Sequence, residues 1–173
     1  ARRALSAHGE GGAPRSRFYL KPLSFYSKEV LLSINVAKAA VVERTQSSNM
    51  LRPGFFLVDF YQLDPATNQI VLVPRARRNF LLDARKATEL LQCPTGPEAH
   101  FRLEFHNARE GKFLQVFKEV SEEGVRFSYF LQENGEFTES LVARLSPAEF
   151  LLLRRFIDYT LPHAFGWDAL GRA

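Results

Sequence analysis

The sequence predicts an α+β fold of two antiparallel four-stranded sheets, with a short helix after the first sheet and a long carboxy-terminal helix after the second. Short β-rich runs separated by turn signals recur along the chain. Phe accounts for 16 of the 173 residues, which suits a β-rich core, and two segments carry helix-start signals. Hairpin connections imply antiparallel sheets, and helices segregated from the strands imply α+β architecture. At 46% hydrophobic content, the chain is long enough for one compact domain and too short for two.

The first half of the chain contains four predicted strands and one short helix. The strands span residues 18–25, 30–38, 55–61 and 70–73, the last interrupted at Pro74 and resumed over 80–82. A polar connection of hairpin length joins the first two, while residues 46–49 lie in a long polar loop. The run 55–61 is apolar on both alternations, which indicates burial on both faces or at an interface. Asp83 is placed to cap a helix over 84–91.

The second half repeats this plan. Its predicted strands span residues 100–106, 112–120, 125–132 and 137–145. The first of them alternates cleanly, with Phe101 and Phe105 on one face and Arg102 on the other, as a half-buried strand does. Asn134-Gly135 between the last two strands is the strongest short hairpin signal in the chain.

The long helix begins with a clear start signal at Ser146. Ser146 is placed as the N-cap, Pro147 at the first helical position, and Glu149 where its carboxylate can reach back to the cap N–H. Pro162 removes a helical N–H and its ring crowds the preceding turn. We therefore expect the helix to end or kink near Thr160.

Apolar residues cover well over half of the circumference of this helix. Packing on one sheet requires an apolar stripe of only about 100° or somewhat more. We therefore expect two buried contacts, one with the helix's own domain and one with another subunit. The residues expected at the subunit interface are Phe150, Leu153, Phe156, Ile157, Leu161 and Trp167.

Residues 1–17 contain four Arg, one acidic residue and several Gly, Ala and Ser. This composition cannot form a packed core, so we expect a disordered basic arm in front of a single domain over residues 18–173. Its Arg-rich, acid-poor character is also typical of mitochondrial targeting sequences, although the amphipathic helix of such sequences is missing.

The sequence contains no catalytic or metal-binding constellation. It has no Gly-rich phosphate loop, no Ser in a nucleophile elbow and no His pair at metal-ligand spacing on a helix. His100 and His106 would be about 20 Å apart on one strand, too far for one ion. The single Cys93 is expected to be a small buried or half-buried residue without a redox role. We expect no enzyme activity, no metal, no cofactor and, because no run approaches the roughly 20 apolar residues of a membrane span, no membrane partner.

Positive charge is concentrated in the first half of the chain. Residues 1–94 hold 14 Lys and Arg against 7 Asp and Glu, whereas residues 95–145 hold 6 against 9. This asymmetry points to a polyanionic partner on one face, although an ordinary basic domain would have the same composition. The candidate phosphate-binding cations are Lys28, Lys38, Arg52, Arg75, Arg77, Arg78, Arg102, Lys112, Lys118 and Arg126. Arg75, Arg77 and Arg78 form the densest cluster.

The segment SPAEFLLLRRFIDYTLPHAFGWDAL, residues 146–170, resembles the carboxy-terminal helix of the Whirly single-stranded-nucleic-acid-binding fold. The shared features are the Ala-Glu-Phe start, the Pro after the apolar helix and the Gly-Trp that follows. From about Phe18 to Leu170, the chain is most similar to the kinetoplastid mitochondrial RNA-binding proteins, also called guide RNA-binding proteins.

This resemblance implies two sheets packed as blades, with helices forming the hub of a heterotetramer of this chain and a related, paralogous partner. It implies that the basic sheet surface binds guide RNA and leaves the bases free to pair. Annealing of guide RNA to pre-mRNA would thereby be promoted during uridine insertion/deletion editing in the mitochondrial matrix, at the kinetoplast.

One departure from the plant Whirly pattern lies at the second strand. The plant proteins carry Lys-Gly-Lys-Ala-Ala-Leu where this chain has Ser27-Lys28-Glu29-Val30-Leu31-Leu32, so only Leu32 and the general position match. The departure favours the RNA-binding branch. Other interpretations stay open: a single-stranded DNA-binding regulator on the same fold, a protein-interaction subunit assembled by its helix, and an enzyme, for which the sequence offers no acid, base and nucleophile set.

Overall fold

The computed structural model describes residues 21–44, 47–72 and 77–166 of the chain. The strands are β1 Leu23–Ser27, β2 Val30–Ala37, β3 Ala40–Arg44, β4 Ser47–Arg52, β5 Phe55–Gln62, β6 Arg77–Leu82, β7 Phe101–Asn107, β8 Lys112–Lys118, β9 Val125–Glu133 and β10 Glu136–Leu145. The helices are α1 Ala84–Leu91 and α2 Pro147–Ala164, and a 3-10 turn spans Ala108–Glu110. The predicted arm, residues 1–17, lies outside the described residues.

Two four-stranded antiparallel sheets confirm the predicted α+β fold. The first sheet has the strand order β1-β2-β5-β6, and the second has the order β10-β9-β8-β7. Helix α1 follows the first sheet and α2 the second. The predicted cap of α1 is also confirmed, because the Asp83 carboxylate accepts a hydrogen bond from the backbone N–H of Lys86 at 2.9 Å.

Two predictions about the first half were wrong. Residues 47–49, expected in a loop, belong to β4, which pairs with β3 in a separate two-stranded sheet between β2 and β5. The β-branched Val41 and Val42 favour this pairing, and it satisfies backbone groups that a loop would leave to water. Residues 70–72, expected in a strand, make only an isolated bridge between Leu63 and Ile70. A turn precedes them, in which the Asp64 N–H donates to the Gln69 carbonyl oxygen at 2.9 Å and the Asn68 N–H donates to the Asp64 carbonyl oxygen at 2.8 Å.

Alternate residues of both sheets face one shared core. The rings of Phe60 in β5 and Tyr129 in β9 lie 5.9 Å apart and join the two sheets. Phe150 of α2 contacts Phe101 and Phe127 of the second sheet, with ring centroids 5.8 and 6.3 Å apart. We call the opposite alternation the outer face of each sheet.

Cys93 lies at the edge of this core after α1. It is buried, and its sulfur lies 3.6 Å from the carbonyl oxygen of Glu89. Burial raises the pKa of the Cys93 thiol to about 11, against a smaller opposing effect of Arg154. The thiol is therefore neutral at physiological pH, as the prediction of a small buried residue requires.

Helix α2 starts as predicted and ends later than predicted. The Glu149 N–H donates to the Ser146 hydroxyl at 3.3 Å and the Ser146 N–H donates to the Glu149 carboxylate at 2.8 Å, which completes the capping box. The helix was expected to end or kink near Thr160; it does not end there but continues through Pro162 to Ala164, and the kink stays a prediction. Pro162 lies in the last turn, where it costs one hydrogen bond to an exposed carbonyl rather than several.

Close backbone contact fixes the carboxy-terminal end of α2 against the first sheet. The Ala39 N–H donates to the Ala164 carbonyl oxygen at 2.7 Å. Gly54 is buried beside the same carbonyl, and a Cβ on Gly54 would lie only 2.0 Å from that oxygen. Glycine is therefore required at this position for the helix to dock.

The residues predicted at a subunit interface lie mostly inside the domain. Phe150, Leu153, Ile157 and Leu161 are buried in the core, so their assignment to an interface was wrong. Phe156 is half-buried, and Trp167 lies outside the described residues. Apolar residues surround the helix, so the sequence alone did not reveal which side faces the sheets. The apolar side chains that α2 leaves exposed are Leu151, Leu152 and Tyr159, with exposed fractions of 51%, 52% and 69%.

Candidate nucleic-acid interface

A row of three arginines crosses the outer face of the second sheet. Strand register places Arg102 beside Phe117, Phe117 beside Arg126, and Arg126 beside Arg144. The guanidinium carbons of Arg102 and Arg126 lie over the Phe117 ring, 5.4 and 5.3 Å from its centroid. This cation–π stacking holds both guanidinium groups against the sheet while their charge stays at the surface. We call Arg102, Arg126 and Arg144 the arginine row.

Two members of the arginine row already have carboxylate partners. Arg126 donates to both oxygens of Glu139 at 3.1 Å, and Arg144 donates to Glu122 at 3.2 Å. Within the described residues, no carboxylate forms an ion pair with Arg102. Partly exposed ion pairs contribute little in water. A phosphate can therefore compete with the carboxylates for Arg126 and Arg144, and it meets no competing carboxylate at Arg102.

An aromatic cluster lies on the same outer face, four residues along β8 from Phe117, or about 13 Å. The Phe113 and Phe130 rings stack with centroids 4.2 Å apart and planes within 5°. His106 stacks on Phe113 at 4.9 Å, and Phe137 meets Phe113 edge-on at the same distance. Phe137 is 44% exposed. An exposed apolar group of this kind is typical of a binding surface, and its ring faces suit base stacking.

The outer face of the first sheet carries a buried carboxylate, Asp59. The Asn35 side-chain amide donates to one Asp59 oxygen at 2.9 Å, and the Arg77 Nε donates to the other at 2.9 Å. The Arg77 Nη2 lies 2.9 Å from that second oxygen, and the guanidinium also lies over the Tyr61 ring at 5.4 Å. The charge of Arg77 is therefore held in an ion pair with Asp59.

Burial governs the titration of this group. It raises the pKa of the Asp59 carboxyl above its usual value, and the hydrogen bonds and charge of Arg77 and the hydrogen bond from Asn35 offset only part of that shift. Partial burial opposes the charge of Arg77, but its hydrogen bond and attraction to Asp59 prevail and raise the guanidinium pKa. Burial and the nearby Asp59 charge likewise raise the pKa of Tyr61. Arg77 thus favours the ionised form of this buried carboxylate and offsets part of the cost of its burial.

Five predicted phosphate-binding cations reach the surface. Lys28 lies in the turn between β1 and β2, and Lys38 follows β2, both exposed. Arg102 and Arg126 lie on the outer face, opposite their apolar neighbours, as predicted. Arg77 also lies on an outer face, bound to Asp59. Arg75 lies outside the described residues, as does the side chain of Arg52.

Arg77 and Arg78 belong to the predicted cluster, but their side chains do not lie on the same surface. Both residues belong to β6, where Arg78 pairs with Phe60 and Arg77 pairs with Tyr61. Neighbouring residues of an extended strand point to opposite faces, so Arg78 lies on the inner alternation and is half-buried. Arg77 and Arg78 therefore do not share one surface, and their contact with phosphate stays a prediction.

Lys112 and Lys118 also lie on the inner alternation of the second sheet. Lys112 forms an ion pair with Glu110, and its side chain is only 10% exposed. Lys118 is buried and donates to the carbonyl oxygens of Pro97 and Ala99 at 3.1 and 2.8 Å. Their long stems turn back to polar groups of the chain itself, so neither presents its charge to a phosphate.

Sequence reasoning missed Arg144 and the aromatic cluster. A usable signal exists at Phe130, which shares its alternation with Arg126, Ser128 and Gln132 and therefore stands among polar residues on an outer face. The stacking of Phe113 and Phe130 depends on the register of β8 with β9. That register is not readable from either strand separately.

Neither a metal site nor a membrane-spanning helix is found within the described residues. No group of three His, Cys, Asp or Glu side chains there could hold a metal ion. No helix of that same part of the chain is both long and apolar enough to cross a membrane.

No protein-family model matches the sequence, and no curated protein does so either. Among solved structures, the chain is similar to WHY1 from Arabidopsis thaliana, with a TM-score of 0.72 and 20% identity over 92% of each chain. It is also similar to MRP1/MRP2 of Trypanosoma brucei, with a TM-score of 0.53 and 14% identity over 90% of each chain. A guide-RNA-binding protein complex bound to a guide RNA gives a TM-score of 0.50 and 13% identity, over 86% of this chain and 92% of that one. These likenesses establish a Whirly-like fold.

Arg77→Ala should destabilise the fold by about 1–3 kcal/mol at pH 7, because the buried Asp59 carboxylate would keep only the Asn35 donor. The loss should shrink as pH falls. A carboxyl whose native pKa is raised contributes less stability as pH rises through that pKa. Removing the Arg77 guanidinium raises the native pKa of Asp59 further, so the variant loses most at high pH and least at low pH. Urea unfolding at pH 7 and pH 5 measures both effects.

The matched control for this experiment is Arg85→Ala. The Arg85 side chain is 90% exposed and, among the described residues, pairs only with Glu89, so its loss should cost less than about 0.5 kcal/mol at either pH. Equal unfolding midpoints for the two variants would contradict a structural role for Arg77.

Proposed function

We propose that this chain is a non-enzymatic subunit that binds single-stranded RNA on the outer face of the second sheet. The observation that carries the proposal is the arginine row and the aromatic cluster on one face of one sheet. Guanidinium groups bind phosphates of any sequence, and exposed rings stack on unpaired bases of any sequence. The Whirly-like fold and the similarity to a guide-RNA-binding complex support it.

The RNA in this proposal is guide RNA, and the function is to promote its annealing to pre-mRNA in uridine insertion/deletion editing. Two RNA strands repel each other as they approach, and cations along one backbone reduce that repulsion. The arginine row supplies such cations without reading base edges. The aromatic cluster holds unpaired bases, which opposes folding of the guide on itself before it meets its target.

The proposed assembly is a heterotetramer with a related, paralogous subunit, joined through α2. The exposed and half-buried residues Leu152, Phe156, Tyr159 and His163 are spaced by four, three and four positions, so they form one stripe along the helix. This spacing is that of a coiled-coil seam. The stripe lies opposite the buried core residues of α2 and replaces the interface residues predicted from the sequence.

The proposed location is the mitochondrial matrix, at the kinetoplast. Two features support it: the Arg-rich, acid-poor residues 1–17, and the structural similarity to the trypanosome MRP1/MRP2 proteins. Guide RNA and pre-mRNA would then be in the same compartment as the protein.

Single-stranded DNA is the second candidate ligand. The aromatic cluster suits it equally well, because a ring that stacks on a base does not distinguish ribose from deoxyribose. Similarity to WHY1 and to the plant transcriptional regulator PBF-2, with TM-scores of 0.72 and 0.70, gives this candidate a matching fold.

Arg102→Ala should weaken binding to all single-stranded RNA sequences by a similar factor, because the lost contact is to phosphate. The slope of log K against log salt concentration should fall by about 0.7, the value for one phosphate contact on a single strand. Fluorescence anisotropy at several salt concentrations measures both, with Arg85→Ala as the control for charge. Selective loss for one sequence, or binding by the unaltered chain that ignores several-hundred-millimolar salt, would overturn backbone recognition.

Phe137→Ala should weaken binding of single strands by roughly tenfold or more, the effect of losing about one stacked base, and leave duplex binding unchanged. Leu81→Ala is the control, since Leu81 is 41% exposed on the outer face of the first sheet. Competition between RNA and DNA of one sequence then identifies the preferred ligand. Equal losses for single strands and duplexes would rule out base stacking at this ring.

Leu152→Glu combined with Tyr159→Glu should convert the assembly with the partner chain into single subunits, because charges would enter an apolar seam. Native mass spectrometry of the mixed chains measures the change. Leu72→Glu is the control, because Leu72 is 93% exposed and lies outside α2. An assembly of unchanged mass in the double variant would show that this stripe is not the contact.

A further inference from the structure

A cavity of about 640 Å³ lies at the end of the second sheet opposite to the aromatic cluster. Residues 94–98, the turn between β8 and β9, and the first turn of α2 enclose it. Its apolar wall includes Val125 and the stacked rings of Phe101 and Phe150. The volume is in the range of sites that bind ligands or inserted side chains.

The rim of this cavity is acidic. Glu98, Glu122 and Glu123 line it. Glu122 pairs with Arg144, whereas no cation within the described residues pairs with Glu98 or Glu123. Lys118 also lines the cavity, but two carbonyl oxygens hold its ammonium group. The unpaired carboxylates repel RNA. Together with the apolar wall beneath them, they suit a basic peptide that carries apolar side chains.

We infer that this cavity binds the amino-terminal segment of the chain itself, residues 1–20, which comprises the basic arm (residues 1–17) and the three apolar residues that follow it. The arm has the required chemistry, because it carries Arg2, Arg3, Arg15 and Arg17 against one acidic residue, Glu10. It also supplies large apolar side chains at Leu5 and over residues 18–20. In this arrangement an apolar side chain packs against Phe101 and Val125, and arginines pair with Glu98 and Glu123.

The arm is long enough to reach the cavity from any side of the domain. Twenty residues span up to roughly 66–72 Å when extended. A domain of this size has a radius of gyration of about 15 Å. Charge complementarity rather than reach therefore selects the cavity as the site. The inference concerns the chain without RNA, so it stands or falls separately from the proposed function.

Limited trypsin digestion of the intact chain, without RNA, tests this inference. Cleavage after Arg15 and Arg17, followed by intact mass, reports how often the arm leaves the cavity. The double variant Glu98→Gln with Glu123→Gln should be cleaved roughly fivefold faster, because trypsin cuts only the undocked arm and losing two charge contacts raises its population.

The matched control is Glu133→Gln with Glu136→Gln. It removes the same charge at the hairpin between β9 and β10, at the other end of the sheet, and should leave the cleavage rate unchanged. Equal acceleration in both double variants would indicate a general charge effect and overturn the inference. Cleavage of the Glu98 and Glu123 variant at the unaltered rate would overturn it as well.

Discussion

The structure depends on burial of the inner faces of both sheets against α2. Phe150 contacts rings of the second sheet, and Phe165 at the end of the helix lies 6.4 Å from Phe56 of the first. Each large apolar side chain buried in this way contributes about 1.5–3 kcal/mol, so a few of them match the net stability of a typical domain. Because both sheets depend on the same helix, its position also fixes where their outer faces lie.

The two outer faces use arginine in different ways, and this difference supports the second sheet as the proposed interface. On the first sheet, Arg77 is bound to Asp59, whose burial would otherwise favour the neutral carboxyl. On the second sheet, Arg102 and Arg126 rest on the Phe117 ring. A ring supports a guanidinium without neutralising it. Among the described residues, Arg102 therefore keeps its charge free of a carboxylate and Arg126 meets only the partly exposed Glu139, whereas the charge of Arg77 on the first sheet stabilises the fold.

The features predicted correctly from the sequence are local ones. Caps at Asp83 and Ser146 depend on residues within three positions, and strand alternation places Arg102 and Arg126 by period alone. The errors arose where distant contacts decide. The sequence around Lys118 is that of an exposed strand lysine, but the residue is buried, and its ammonium group donates to carbonyl groups some 20 positions earlier in the chain. Likewise, the side of α2 that is buried depends on where the two sheets lie, and the sequence of the helix does not contain that information.

In the proposed complex, the placement of carboxylates limits the path of RNA over this surface. Beyond the arginine row, the turn between β8 and β9 presents Glu119 and Glu123, which no cation in the described part of the chain pairs with. A polyanion that crosses this turn meets repulsion. In the other direction lies the aromatic cluster, about 13 Å away along the strands. We therefore expect RNA, in the proposed complex, to run along the strand direction between the arginine row and the rings, because the row attracts its phosphates and the rings stack on its bases.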